Sequence, residues 1–573
     1  MRHTVRTRPW RTLPWRTAAL SITGALLLTS CGGAGSAEED GVELDEDQVG
    51  VGAMEDFGVD DTFVATEPVE FSLLYRNNPD HGLDEDWMFF DQLEEEHNVS
   101  LSLVDAPLSD FEEQRSLLIG AGEMPDYVPV TYPGQEVPYL SGGAVLPISD
   151  YLDYMPNFTD KLDRWELWDE FDALRQEDGK AYMLPGLRED PFYIFSLVVR
   201  GDIWDELGLE NPETWDELAD QLREVKEAYP DITPMSDRWE LQSTLNIASA
   251  NFDTVAGWGY GQGLYFDHDA DEFIYAGASD EYRELLEFFA GLVEEGLMDA
   301  ETMTQDDQMA EQKFSAGESF VIGGNDESTT IYHRGFEELG TEGAEARLIP
   351  IPGGRDGDFV HSGARFDSGL MIANSMADQD DFMALLQFID WLYYSDNGLE
   401  FATWGVEGET YERDADGEIA LDEDIDINSL HPDAEEHLLR DYGFHNQPFM
   451  HAAGSLTEFV HSGLRPHVIE WQESMQHKEE RPVTPAHPFT DLELEQLGLW
   501  STSLTDHVQT ATAQFILGQR SFDDWNSYVA ELENLNMQSL VDMANEAYER
   551  AQEQIDEQID DESDEQSEGD GDA

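Results

Sequence analysis

Carboxylates are the commonest reactive groups in this chain: 126 of its 573 residues are Asp or Glu. Paired carboxylates can hydrolyse glycosidic bonds, but the separation that matters is spatial, and no pair stands out by spacing. Eight histidines fall between His431 and His487, and none shows the i, i+4 spacing of a zinc pair on a helix. Asp267-His-Asp-Ala-Asp271 has the alternating acids of a calcium loop. It lacks the glycine at loop position six and the acid at position twelve, so a solvated acidic loop is expected. Gly257-Trp-Gly-Tyr-Gly-Gln-Gly263 is rich in glycine but misses the dinucleotide spacing, which leaves a turn or binding loop. No glycine-lysine-serine phosphate loop, Gly-x-Ser-x-Gly elbow, His-Glu-x-x-His or Cys-x-x-Cys occurs. No catalytic residue, metal site or cofactor is therefore expected.

The only cysteine, Cys31, stands behind a distinctive leader. Arg2, Arg6, Arg8, Arg11 and Arg16 precede an apolar stretch, Ala18 to Leu28, and no acid precedes Cys31. The stretch is too short to span a bilayer, and its layout is that of a secretory signal. Leu28-Thr29-Ser30-Cys31 resembles a lipobox, which implies acylation of Cys31 and an anchor at the outer face of the cell membrane. With no second cysteine, a disulfide is excluded. The formal net charge of -97 repels nucleic acid. The acids are spread over predicted helix faces, a solvated surface suited to a saline setting. Hydrophobic residues at 40% still suffice for sizeable cores.

These groups are carried by alternating elements. Residues 31–65 are small and acidic and read as a flexible spacer. Val69, Phe71, Leu73 and Tyr75 alternate as a strand, and Trp87 to His97 follows as a helix. Val99, Leu101 and Leu103 alternate again, a helix covers about Asp110 to Gly120, and Asp126-Tyr-Val-Pro-Val is a third strand. This order predicts an α/β layer fold. Farther on, Thr214-Trp-Asp-Glu217 forms a capping box. Tyr282, Leu285, Leu286, Phe289 and Val293 line one helix closed by Gly296. Phe382, Leu385, Leu386, Ile389 and Leu392 line another closed by Gly398. Residues 551–573 form an acidic tail expected to be disordered.

Several segments resemble the carbohydrate-type extracellular solute-binding lipoproteins of ABC transporters, in their long branch. They are Gly120-Ala-Gly-Glu-Met-Pro-Asp126, Ser141-Gly-Gly-Ala-Val-Leu-Pro-Ile-Ser-Asp150, Asp178-Gly-Lys-Ala-Tyr-Met-Leu-Pro185 and Val199-Arg-Gly-Asp-Ile-Trp204. Leu207-Gly-Leu, Pro212 and Thr214-Trp-Asp-Glu-Leu218 extend the last of these. Phe314-Ser-Ala-Gly-Glu-Ser, Gly405-Val-Glu-Gly-Glu-Thr-Tyr411 and Phe515-Ile-Leu-Gly with Trp525 and Tyr528 complete the set. The resemblance covers about 68–550. It implies a two-lobed, type II periplasmic-binding-protein-like fold with an interlobe ligand cleft and a hinge. Lobe one would hold 66–186 and 366–398, and lobe two 187–365 and 399–550. Some long relatives carry a calcium loop where this chain has Ala228-Tyr-Pro-Asp-Ile-Thr-Pro234, so no such site is expected.

The implied function is delivery of an oligosaccharide or similar polar solute to an ABC permease, by a monomer that is not an enzyme. A sugar needs aromatic platforms and a few polar groups. Tyr75, Arg76, Asn77 and Asn78 end the first strand, and Tyr132 follows a later one. Trp258 and Tyr260 lie in the glycine-rich loop, and Asn325 follows Gly323-Gly324. Arg365 and Asp367 fall at the implied crossing strand, and Trp404 precedes a turn. These are the expected ligand contacts. For each aromatic, core packing is the competing role. A peptide-like or opine-like ligand on the same fold, or a surface enzyme acting on polysaccharide, are the rival readings.

Overall fold

The computed structural model describes residues 50–569, except 80–81, 356, 363–364, 414–416, 418, 429 and 451–455; the side chains of Asp367, Asp491 and residues 554–569 are also not described. The leader, Cys31 and most of the expected spacer lie outside the described residues.

Two sheets organise the chain. The principal strands are β1 (Val69–Asn77), β2 (Val99–Pro107), β3 (Tyr127–Val130), β4 (Leu184–Leu187), β5 (Ser196–Arg200), β6 (Val321–Gly324), β7 (Ala346–Leu348) and β8 (Phe366–Ile372). The first sheet has the order β2-β1-β3-β8-β4. Its strands β1, β2 and β3 are parallel, with Leu73 opposite Leu103 and Tyr127, and β8 runs antiparallel to β3 and β4. The second has the order β6-β5-β7, with β5 antiparallel to both neighbours. The expected α/β class and the first strand-helix-strand-helix-strand run are present, the helices being Met88–His97 and Phe111–Ala121.

Each sheet belongs to its own apolar core. One gathers β1, β3, β4 and β8 with helix Phe382–Tyr394. The other gathers β5, β6 and β7 with helices Trp215–Ala228, Asp280–Glu294 and Asp491–Ile516. All thirteen residues of Phe382–Tyr394 are buried, so it is a central pillar rather than the one-sided helix its stripe suggested. It ends at Tyr394, and Gly398 lies inside the next helix, Asp396–Trp404. A Cβ there would meet the Trp391 carbonyl oxygen at 1.9 Å, so glycine permits the close approach.

Three boundaries differ from expectation. Residues 402–450 pack on the first core, not the second: Phe401 stacks on Trp391 at 5.7 Å, and Trp404, Phe444 and Phe449 are buried there. Residues 51–65, expected as spacer, are packed: Phe63 and Ala65 enter the first core, and the Gln387 amide bonds both the N–H and the carbonyl of Met54. The acidic tail is helical through Gly569, in the helix that starts at Met537. At Thr214 the hydroxyl accepts from the Glu217 N–H as expected, but the Glu217 carboxylate accepts from Glu213.

The chain passes between the cores along 188–195 and returns to the first sheet through Arg365. The Arg188 N–H donates to the Arg365 carbonyl at 2.9 Å, so the two crossings are tied together. Thr457 also holds the outgoing crossing, donating to the carboxylates of Glu189 and Asp190.

One buried carboxylate locks the first core. Asp390, fully buried, accepts from the Asn157 N–H (2.9 Å), the Asn157 amide (2.8 Å) and the Phe158 N–H (2.8 Å). It thereby caps helix Pro156–Trp165, whose own N-cap, Met155, offers no oxygen. Burial pushes its pKa up to about 7 against these bonds. A raised carboxyl pKa means the folded state holds the proton more tightly than the unfolded one. The contribution is full below about pH 4 and is lost as pH rises through about 7. Urea titrations should show this decline, with Asp390→Asn flattening part of the slope between those limits; an unchanged slope would contradict the assignment.

Candidate ligand site

Strand β4 is parallel to β3, so the chain leaves the first sheet at the end where β1 and β3 also finish. It enters the second sheet at Ser196, paired with Gly324 at the end of β6. The crossings therefore join one end of each sheet, and residues at those two ends form the candidate site. Ligand sites of α/β folds lie at such strand ends.

In the first lobe the site is built from the end of β1 and the segment 437–450. Tyr75 is 1% exposed, and its hydroxyl accepts from the Asn446 amide at 3.0 Å. Burial raises its pKa. Arg76 reaches Thr131 at the end of β3 (3.4 Å) and donates to the Gln447 side chain. A cavity of about 390 Å3 opens here, lined in part by Tyr75, Arg76, Asn78, His437, His445 and Gln447. A crevice beside Thr131 and Gly369 shares Arg76 and Gln447 with it. Burial lowers the His445 pKa to about 4, helped by His437, so its ring is neutral at neutral pH.

In the second lobe the site is aromatic. Trp258, 46% exposed, packs its ring 5.0 Å from Phe195 and 5.1 Å from Trp239. Gly257 has φ +57, and a Cβ would lie 1.9 Å from the Gln242 carbonyl, so only glycine lets this loop sit on helix Gln242–Ser249. Trp239, Glu240 and Leu241 all take left-handed backbone, with φ of 55, 54 and 68. Three such residues in a row are costly, and strain of this kind is held where a side chain must be aimed. The Arg238 guanidinium lies 4.0 Å from the Trp239 ring centroid, in a cation–π contact, and is fixed by Glu311 and Ser328. An open hollow of about 700 Å3 fronts the platform, rimmed by Glu240, Gln305, Asp306 and Asp307.

The structure divides the expected contacts. Arg76 and Asn78 line the lobe-one cavity, with the buried Tyr75 at its wall. Trp258 forms the lobe-two platform. Tyr132 is 68% exposed just beyond β3 and lines none of these cavities. Asn77 accepts from the Leu83 N–H and holds a turn. Asn325 caps helix Asp326–Leu339 by accepting from Ser328. Arg365 donates to the Arg188 carbonyl within the crossings. Asp367 pairs its backbone with Gly186 in β8. Tyr260 and Trp404, expected as ligand contacts, are core residues, at 4% and 0% exposure. Tyr260 packs among Tyr275 and Tyr282, and Trp404 stands behind the lobe-one cavity, 5.9 Å from the His445 ring. Phe195, Trp239, His445 and Gln447 were missed. The run Arg238-Trp239-Glu240 carries no period or turn signal, and the sequence reading places 437–450 in the other lobe.

The family described as bacterial extracellular solute-binding protein matches residues 85–397. This chain belongs to that family. The fructooligosaccharide ABC transporter substrate-binding protein FusA of Streptococcus pneumoniae is 22% identical over 496 residues, 81% of this chain and 87% of that protein. The polygalacturonan/rhamnogalacturonan-binding protein YtcQ of Bacillus subtilis is 22% identical over 349 residues, 56% of this chain and 66% of that one. Among solved structures, an extracellular solute-binding protein from Bifidobacterium longum subsp. infantis superposes with a TM-score of 0.63 at 18% identity, covering 86% of this chain and 100% of that one. The alginate-binding protein AlgQ2 gives 0.59 at 19% identity, covering 85% and 99%. These solute-binding proteins share the two-lobed fold described above. Among the described residues of this family member, no group of three or more His, Cys, Asp or Glu could hold a metal ion.

The two tryptophans can be told apart by stability. Trp404→Ala should cost about 3–5 kcal/mol in a urea titration, as for a buried indole. Trp258→Ala should cost about 1 kcal/mol or less. Equal losses would show that Trp258 is core rather than platform.

Proposed function

We propose that this chain is a lipid-anchored binding protein that captures an oligosaccharide between its lobes and presents it to an ABC import permease without converting it. One observation carries the reading. A tryptophan platform stands at one of the sheet ends joined by the crossings, and a pocket of amides, Tyr75 and Arg76 stands at the other. Indole faces stack on the flat C–H faces of sugars, and amide and guanidinium groups take their oxygens. A ligand that touches both lobes binds the closed arrangement better and so drives closure. The 22% identical relatives named for fructooligosaccharide and polygalacturonan support a saccharide. Export is supported by the extracellular family and by the leader. Among the described residues no helix is long and apolar enough to cross a membrane, so acylation at Cys31 would supply the attachment. The anchor would raise the concentration of the loaded protein beside its permease.

Calorimetry against neutral and acidic oligosaccharides and peptides tests the proposal. Binding of at least one saccharide class is expected, with Trp258→Ala weakening it about tenfold or more. Peptide binding alone would favour the rival ligand class, and sustained product release from any saccharide would show an enzyme. Palmitate labelling in the native host should mark the wild type and not Cys31→Ser.

A further inference from the structure

We propose that the lobe-one cavity receives an anionic substituent of the sugar, a uronic carboxylate or a sulfate ester, and that Arg76 is the residue that selects it. The inference rests on the reading of the chain as an oligosaccharide binder.

Asp and Glu make up 126 of 573 residues, so a lining of this size drawn at random would hold several. Among the described residues lining the cavity and its adjoining crevice there is none. The charged side chain present is Arg76, and its hydrogen bonds go to the neutral groups of Thr131 and Gln447. Several other arginines are met by carboxylates, as Arg200 by Asp202 and Arg347 by Asp205 and Glu345.

A neutral sugar gives no reason for that vacancy. Its hydroxyls donate, and carboxylates are strong acceptors for them. The lobe-two hollow has such acceptors in Glu240, Asp306 and Asp307. An anionic group has the opposite need. It requires donors and must escape the field of a chain of net charge -97. Salt screens charges beyond roughly 8–10 Å; inside that range Glu112, which accepts from the Thr131 hydroxyl, is already paired with Arg115, and none of the described lining residues is acidic. The guanidinium fork matches both carboxylate and sulfate oxygens. The lobes then divide the ligand: hydroxyls and C–H faces to lobe two, the anion to lobe one.

The test is calorimetry at physiological ionic strength with trigalacturonate, neutral galactotriose and sulfated galactotriose. Wild type should bind at least one anionic trimer about tenfold or more tightly than galactotriose. Preference for trigalacturonate alone identifies the planar carboxylate as the group read, and equal preference for the sulfated trimer identifies charge. In Arg76→Gln the anionic-to-neutral ratio should fall to near one, with an unchanged melting temperature showing that the protein is folded. Arg76→Lys, which keeps the charge but not the fork, should keep part of the ratio. Galactotriose bound as tightly as both anionic trimers, or a ratio intact in Arg76→Gln, would overturn the inference and leave the oligosaccharide reading standing. Binding of no trimer would overturn the inference and leave the oligosaccharide reading to the wider saccharide panel.

Discussion

The hydrogen bond from the Arg188 N–H to the Arg365 carbonyl joins two residues far apart in the sequence. It ties the outgoing crossing to the returning one. Because β4 ends where β1 and β3 end, and β5 begins where β6 ends, the crossings join one end of each sheet, and the candidate site lies there. The opposite sheet ends are left for packing. Arg76 and Trp258 would otherwise be unrelated surface residues on separate cores.

Charge imposes the second constraint. The chain spends its carboxylates on the surface and admits few into the interior. Asp390 and Asp237 are fully buried, and burial raises both, to about 7 and about 6. Each is retained where backbone N–H groups need an acceptor: Asp390 at Asn157 and Phe158, Asp237 at Gly323 and Arg238. Asp237 sits between the end of β6 and the strained Trp239 turn, so a buried acid supports the geometry of the aromatic platform. The same economy shows in the lobe-one cavity, where no described lining residue is acidic.

Local order was legible in the sequence and long-range assignment was not. β1, β2 and their helices follow from period-two and helical spacing, which neighbours along the chain determine. Residues 402–450 have short strands and weak periodicity, so nothing local showed that Phe401 would stack on Trp391 and carry them to the first core. Residue type alone could not separate Trp258 from Trp404, since both are indoles beside glycine turns and only burial differs. Asn77 and Asn325 stood at strand ends as expected, but their oxygens are taken by Leu83 and Ser328, the ordinary use of asparagine at turns and caps. Trp239 escaped notice because its place depends on three left-handed residues that no composition rule favours.

The central claim is that one ligand engages both lobes and draws them together. Small-angle X-ray scattering with and without the saccharide that binds in calorimetry measures this most directly. The radius of gyration should fall on saturation in the wild type and stay unchanged with the same sugar in Trp258→Ala at a concentration that leaves that variant unbound. A saturated wild type with no change in radius of gyration would contradict a ligand that closes the two lobes.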